Sequence, residues 1–259
     1  MNISDLVQQY VDRCKTLGER CQTKEVILRC FCRAVGPRTR VSRIRTDAVS
    51  AFLAGTGPIT RTWHSRYYSL KGLFRFAINR GHLKELPLPP NLPRRAPTLV
   101  PYIYSHAEIR RLLAAIPSFR RRPCCIAPAT LRAILLLLYG AGLRDGEALR
   151  LSVADVDLPN GLITIRNTKF FKSRLVPIGP HLTKALSEYA RWRDQTNPSS
   201  GIGSHFFLYR NGMPVRLSSL QKIFRHLRTY AGVLRTDGAR FEPRLHDLRH
   251  NAASRIMPT

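Results

Sequence analysis

Residues 162–179, LITIRNTKFFKSRLVPIG, decide how the fold of this chain is read. Leu162–Ile165 alternates β-branched and apolar residues, and Arg174–Ile178 repeats the pattern before running out at Pro177 and Gly179. Each run is the length of a short strand and is bounded by turn-forming residues. Between them lies a polar, basic turn, Asn167-Thr168-Lys169-Phe170-Phe171-Lys172-Ser173. A strand-turn-strand unit is therefore expected. The fold class that follows is mainly α with a small antiparallel β-sheet.

Upstream of the hairpin, Ala129 to Gly142 is almost wholly apolar, as a buried central helix must be. Before it, Ser105-His106-Ala107-Glu108 is a capping box leading into Ile109, Leu112, Leu113 and Ile116 at helical spacing. Downstream, helical patterns cover Leu182–Trp192, Leu217–Tyr230 and Pro243–Met257. The spacing of Ile223, Phe224 and Leu227 turns Tyr230 toward a core.

The first 86 residues read as four short helices. Ile3, Leu6, Val7, Tyr10, Val11 and Cys14 mark the first, with Ser4 as its expected cap. Lys24–Ala34 is the second, with Val26, Ile27, Cys30 and Phe31 as its apolar residues, and Val49, Phe52 and Leu53 mark the third, after Thr46. Trp63, Tyr67, Leu70, Phe74, Ala77 and Ile78 stripe the fourth, which Gly81 stops. Its other positions carry Arg61, Arg66, Lys71, Arg75 and Arg80, while Glu85 is the only acid between Ala48 and Ala107. A merely solvated face would mix its signs; a face laid on phosphates would not.

Residues 86–102, LPLPPNLPRRAPTLVPY, are too rich in proline for helix or ladder pairing and carry Arg94 and Arg95. The expected organisation is thus a helical domain over 1–86, a Pro-rich basic linker over 87–104 and a second domain over 105–259.

Charge narrows the function. Lys plus Arg number 43 against 16 Asp plus Glu, a formal net charge of +27. A field of that size recruits polyanions, and nucleic acid is the first of them. A membrane partner is not expected, because the longest apolar run, Ala133–Tyr139, is far too short to span a bilayer. The amphipathic N-terminus does not read as a signal peptide, so the expected location is cytoplasmic, at the nucleoid if the host is a prokaryote. Cys14, Cys21, Cys30, Cys32, Cys124 and Cys125 contain no CxxC pair and read as reduced and structural, with no metal expected.

The second domain holds three basic clusters: Arg144 after the apolar helix, Lys169 at the hairpin tip, and His246-Asp247-Leu248-Arg249-His250. On a helix, His246, Arg249 and His250 share a face. Guanidinium forks match phosphate oxygens, and two around one phosphodiester would stabilise the added charge of its transition state. A lysine can protonate a leaving sugar oxygen and a histidine can move a proton. This is a phosphoryl-transfer set that needs neither metal nor cofactor, only a nucleophile. Reading His246 and His250 as a zinc pair is disfavoured by Arg249 beside them.

In this order the motifs resemble the tyrosine-type site-specific recombinases of the phage-integrase family. YGAGLRDGEALRLSVADVD (139–157) is similar to the family's first-arginine box, ITIRNTKFFKSRLVPIG (163–179) to its lysine hairpin, and RLHDLRHNAAS (244–254) to its His-x-x-Arg box. The resemblance implies a core-binding (SAM-like) DNA-clamping domain over 1–86 and a catalytic domain from 105. It gives Arg144 and Arg249 the scissile phosphate, Lys169 the role of general acid with Lys172 as rival, and His246 proton transfer. Glu147 and His250 would support them. Arg61, Arg66, Lys71, Arg75, Arg94, Arg95 and Lys172 would face the DNA. Implied partners are double-stranded DNA and other recombinase subunits bound to it.

The family's pattern continues past this box to a further His or Trp and then to the nucleophilic tyrosine. Here the sequence reaches Ser254-Arg255-Ile256-Met257-Pro258-Thr259, and the last tyrosine is Tyr230. The expectation is a catalytic domain lacking its C-terminal segment and nucleophile, inactive in cleavage alone. The alternative is a non-catalytic DNA-binding fragment of a decayed mobile-element integrase.

Overall fold

The computed structural model describes residues 1–19, 21–55, 61–94, 100–119, 126–166, 173–197, 201, 203–239 and 241–251. The chain divides into two compact units, Met1–Thr98 and Leu99–Thr259.

The first unit is built from α1 (Ile3–Thr16), α2 (Gln22–Val35), α3 (Thr46–Ala54) and α4 (Arg61–Asn79). The cap of α1 is Asn2, not Ser4: its side-chain oxygen accepts from the Asp5 backbone N–H at 2.8 Å. In α2 the buried face is Leu28, Phe31 and Cys32, whereas Val26 is exposed. The strip that counts is thus rotated from Val26 and Ile27, because Phe31 is the large side chain and goes to the centre. There it meets Phe52 and Phe74 edge-on at 5.1 and 5.9 Å between ring centres. Leu88, within the proline-rich run, is buried in this same core.

The second unit is organised around α6 (Pro128–Ala141), apolar on nearly every side and buried accordingly, from Leu131 to Leu138. Helix α8 (Pro180–Thr196) packs on it, and α5 (His106–Ala115) packs on α9 (Leu217–Tyr230). The expected capping box forms: the Ser105 hydroxyl accepts from Glu108 N, and Glu108 accepts from Ser105 N at 2.8 Å. The strands are β1 (Val156–Asp157), β2 (Leu162–Ile165) and β3 (Arg174–Pro177), in one antiparallel sheet of order β1-β2-β3. The two expected strands are present, and β1 adds a third too short to leave a sequence pattern. Opposite pairs are Ile163 with Val176 and Ile165 with Arg174.

Tyr230 does not enter the core. It is the last residue of α9, where the helix stops covering its neighbours, and it is 58% exposed. The C-terminal helical pattern also begins differently, with a 3-10 turn at Leu245–Asp247 and helix from Leu248 to Asn251.

Asn251 closes this unit. Its Oδ1 accepts from Tyr104 N at 3.1 Å and its Nδ2 donates to Tyr104 O at 2.5 Å, joining two ends of the unit in the buried interior. Asn251→Ala leaves both backbone groups of Tyr104 buried without these partners. It is expected to lower the unfolding free energy by roughly 2–6 kcal/mol, read from the urea midpoint, at 1–3 kcal/mol per orphaned group.

Candidate active site

Gly142 ends α6 in the left-handed region, with φ 61° and ψ 27°, which redirects the chain toward Arg144 without steric cost. Arg144 then precedes α7 (Asp145–Leu149), a single short helix carrying two buried carboxylates, Asp145 and Glu147. A buried charge survives only if paired, and both are.

Glu147 accepts from the Arg144 backbone N–H at 3.0 Å, from Arg144 Nη1 at 2.7 Å and from Arg174 Nη2 at 2.8 Å. Burial alone would raise its pKa. The hydrogen bonds from Arg174 and Arg144 prevail and hold it down at about 2. Arg174 reaches it because β3 alternates: Arg174 stands opposite buried Ile165 on the inward face, while Leu175 next to it is exposed. Asp145 Oδ1 lies 2.9 Å from His246 Nδ1, with the ring side chain 46% exposed and the carboxylate 7%.

Arg249 belongs to the same cluster. Its pKa is pressed down by burial first, then by the Arg144 charge, with Arg174 adding to the effect and the Glu147 and Asp145 carboxylates opposing it. His250 packs edge-on against His246 at 5.8 Å between ring centres. The structure therefore brings together Arg144, Glu147, His246, Arg249 and His250. Lys169 and Lys172 lie in 167–172, outside the described residues, as does Arg95.

Two members were missed in the sequence, Arg174 and Asp145. The signal for Arg174 was its place on the core-facing side of a strand. Asp145 left none, since its partner is 101 residues away. A cleft of about 460 Å³ beside His246 is lined by Arg225, Arg228 and Arg244 among others, with Arg228 paired to Glu242.

Asp247 offers nothing to a metal at this place: it is buried and accepts from Arg244 N at 2.9 Å and Arg244 Nη2 at 2.7 Å. Elsewhere, Cys14, Glu19 and Cys21 bring possible ligand atoms within 4.8 Å of one another. The Lys24 ammonium is already there, 2.6 Å from Glu19 and 3.8 Å from Cys14 Sγ. Cys14, Cys21, Cys30 and Cys32 are free thiols.

Of the basic residues in the first unit, Arg61 and Arg75 are exposed and Lys71 is half-buried. Arg66 is partly engaged, donating to Phe52 O at 3.2 Å and lying over the Phe52 ring. Arg94 is exposed.

Residues 104–258 match the model of the phage integrase family. The chain belongs to that family. It is 33% identical over 258 residues to y4rE of Sinorhizobium fredii, described as an integrase/recombinase, covering 97% of this chain and 79% of that protein. It is 36% identical over 143 residues to the tyrosine recombinase XerA of Thermococcus kodakarensis, covering 55% of this chain and 46% of the relative. Among solved structures, the Tn1549 transposon integrase in complex with a circular intermediate DNA matches with TM-score 0.71 at 19% identity, over 99% of this chain and 87% of that one. A lambda integrase dimer bound to a COC' core site matches with TM-score 0.65 at 18% identity, over 98% and 89%. The fold is that of the tyrosine-type site-specific recombinases. No helix among the described residues is long and apolar enough to cross a membrane.

Glu147 gives this integrase-family chain a measurable acid sensitivity. Its carboxyl sits at about 2 in the fold against an ordinary 4.5, so the unfolded chain takes up the proton first as pH falls. Its contribution is complete above about 4.5 and lost on descent toward 2, on the order of 3 kcal/mol at 1.36 kcal/mol per unit. In urea titrations, the stability gap between wild type and Glu147→Gln should be widest above pH 4.5 and close toward pH 2.

Proposed function

We propose that this chain binds double-stranded DNA and that Arg144 and Arg249 hold the scissile phosphate of a strand-exchange site. The observation that carries this reading is the buried Glu147 carboxylate, which accepts from the guanidinium groups of both Arg144 and Arg174 at 2.7 and 2.8 Å, with the Arg249 side chain depressed by the charges of the same two arginines. Three guanidinium groups are held close together against their own repulsion, and a phosphodiester bearing extra negative charge in its transition state is the partner that repays that cost. Lys169 would protonate the leaving sugar oxygen, with Lys172 as the alternative, and His246 would shuttle the nucleophile's proton. Arg174 joins the set as a further guanidinium, and His250 supports His246 by packing. Arg61, Arg66, Lys71, Arg75, Arg94 and Arg95 would run along the backbone of the duplex. Other recombinase subunits on the same DNA are the expected protein partners.

A polypeptide of these 259 residues has no tyrosine beyond Tyr230. Transition-state stabilisation accelerates a step only when a nucleophile stands in line with the leaving oxygen. By itself, this polypeptide should bind DNA and form no phosphotyrosyl intermediate. A suicide duplex substrate tests this: the expected result is retained binding with no covalent adduct. Extending the chain with a tyrosine-bearing tail should restore an adduct that Arg144→Ala or Arg249→Ala abolishes. An adduct on the unextended chain would overturn the inactivity, and mapping it to Tyr230 would name the nucleophile.

The binding itself should fall steeply with salt, as phosphate contacts made by Lys and Arg require. Removing residues 1–86 should weaken it markedly in a mobility-shift titration. Equal affinity for the fragment from 105 onward would sink the clamp.

A further inference from the structure

The carboxylate of Asp145 is buried at the start of α7, and its Oδ1 stands 2.9 Å from Nδ1 of His246. An ionised carboxylate only accepts hydrogen bonds, so the short contact requires the proton on Nδ1. The ring is then left with a bare Nε2 on its partly exposed side whenever it is neutral. We propose that Asp145 is a positioning residue that fixes the tautomer and orientation of His246, so that Nε2 is the atom that exchanges a proton at the phosphate site.

Three features of the site support this. Asp145 follows Arg144 directly, and through the α7 turn the same backbone that places a phosphate-binding guanidinium also places the carboxylate. His246 is the middle residue of a 3-10 turn rather than lying inside a long helix, so its ring is not fixed by a helical face and a side-chain anchor has something to do. The carboxylate also acts on Arg249, opposing the depression that burial, Arg144 and Arg174 impose there. Asp145 thus acts on two neighbours at once, on His246 through a hydrogen bond and on Arg249 through its charge. When a hydroxyl passes its proton to Nε2, the oxygen keeps the bonding pair and the ring becomes an imidazolium. The charge created on the ring lies beside a carboxylate already in place. On reversal the same proton returns from Nε2, leaving the Nδ1–H···Oδ1 bond unchanged. Acceptors that orient metal-bound histidines change affinity or activity by about 10- to 100-fold, and an effect of that size is expected here.

The inference rests on the phosphate-site reading, and its test separates the two. Nitrogen-15 spectra of the folded chain at about pH 8, above the ordinary imidazole range, report which ring nitrogen carries hydrogen. Loss of one set of signals in His246→Gln assigns the ring. The expected result is a protonated Nδ1 and a bare Nε2 in the wild type. Asp145→Asn, close in shape but able to donate as well as accept, should release the ring to a mixture of tautomers, and Asp145→Ala should do so fully. A wild-type ring protonated on Nε2, or an unchanged Nδ1–H form in the folded Asp145→Asn chain, would overturn the proposal. In the tail-extended chain, Asp145→Asn should slow adduct formation by about 10- to 100-fold while duplex affinity holds. If the tail-extended wild type forms no adduct, the phosphate-site reading fails, and the spectra still decide the role of Asp145.

Discussion

The second unit depends on one buried carboxylate. Glu147 is nearly inaccessible, yet it accepts hydrogen bonds from the backbone of Arg144 and from the guanidinium groups of Arg144 and Arg174. Removing such a charge from water is expensive, and only dense hydrogen bonding offsets it. That requirement couples the turn after α6 and the helix α7, which follow one another, to the strand β3, whose Arg174 lies 27 residues beyond Glu147. If any of them moved, a charge would be left in the interior without its partner. The exposed pairs elsewhere, such as Arg29 with Glu25, carry no comparable constraint, since exposed pairs are each worth only about 0–1 kcal/mol.

The same carboxylate decides what the arginines can do. Each donates part of its fork inward to Glu147, which fixes the orientation of both guanidinium groups. Asp145 does for His246 what Glu147 does for Arg144. Two acids on one short helix thereby hold a histidine and two arginines, and a strongly basic chain places its few buried acids where they direct its cations.

Much of this was readable in advance. Apolar periodicity identified α6 and α9 almost to the residue, and alternation found β2 and β3, because these signals follow directly from which face is buried. The family's motifs named Arg144, Glu147, His246 and Arg249, and these side chains converge. What stayed hidden were contacts between distant segments. Val26 and Phe31 both read as core from composition, and only packing shows that Phe31 takes the centre while Val26 faces water. Tyr230 has the spacing of a core residue, but spacing says nothing about where a helix runs out of neighbours. Asp145 sits one residue from a recognised arginine, and without the fold nothing distinguishes it from a solvent-facing acid.

The positive charge of the chain and its site perform different physical tasks. A net charge of +27 acts at range, raises encounter with any polyanion and weakens as salt is added. The cluster of Arg144, Arg174 and Arg249 is partly out of water, and at contact range screening is weaker and geometry decides the energy. Long-range attraction alone would make a protein that coats DNA without choosing a bond. The buried acids make the difference, because Glu147 fixes Arg144 and Arg174 at one place, and a site with fixed cations can select by geometry where a diffuse field cannot.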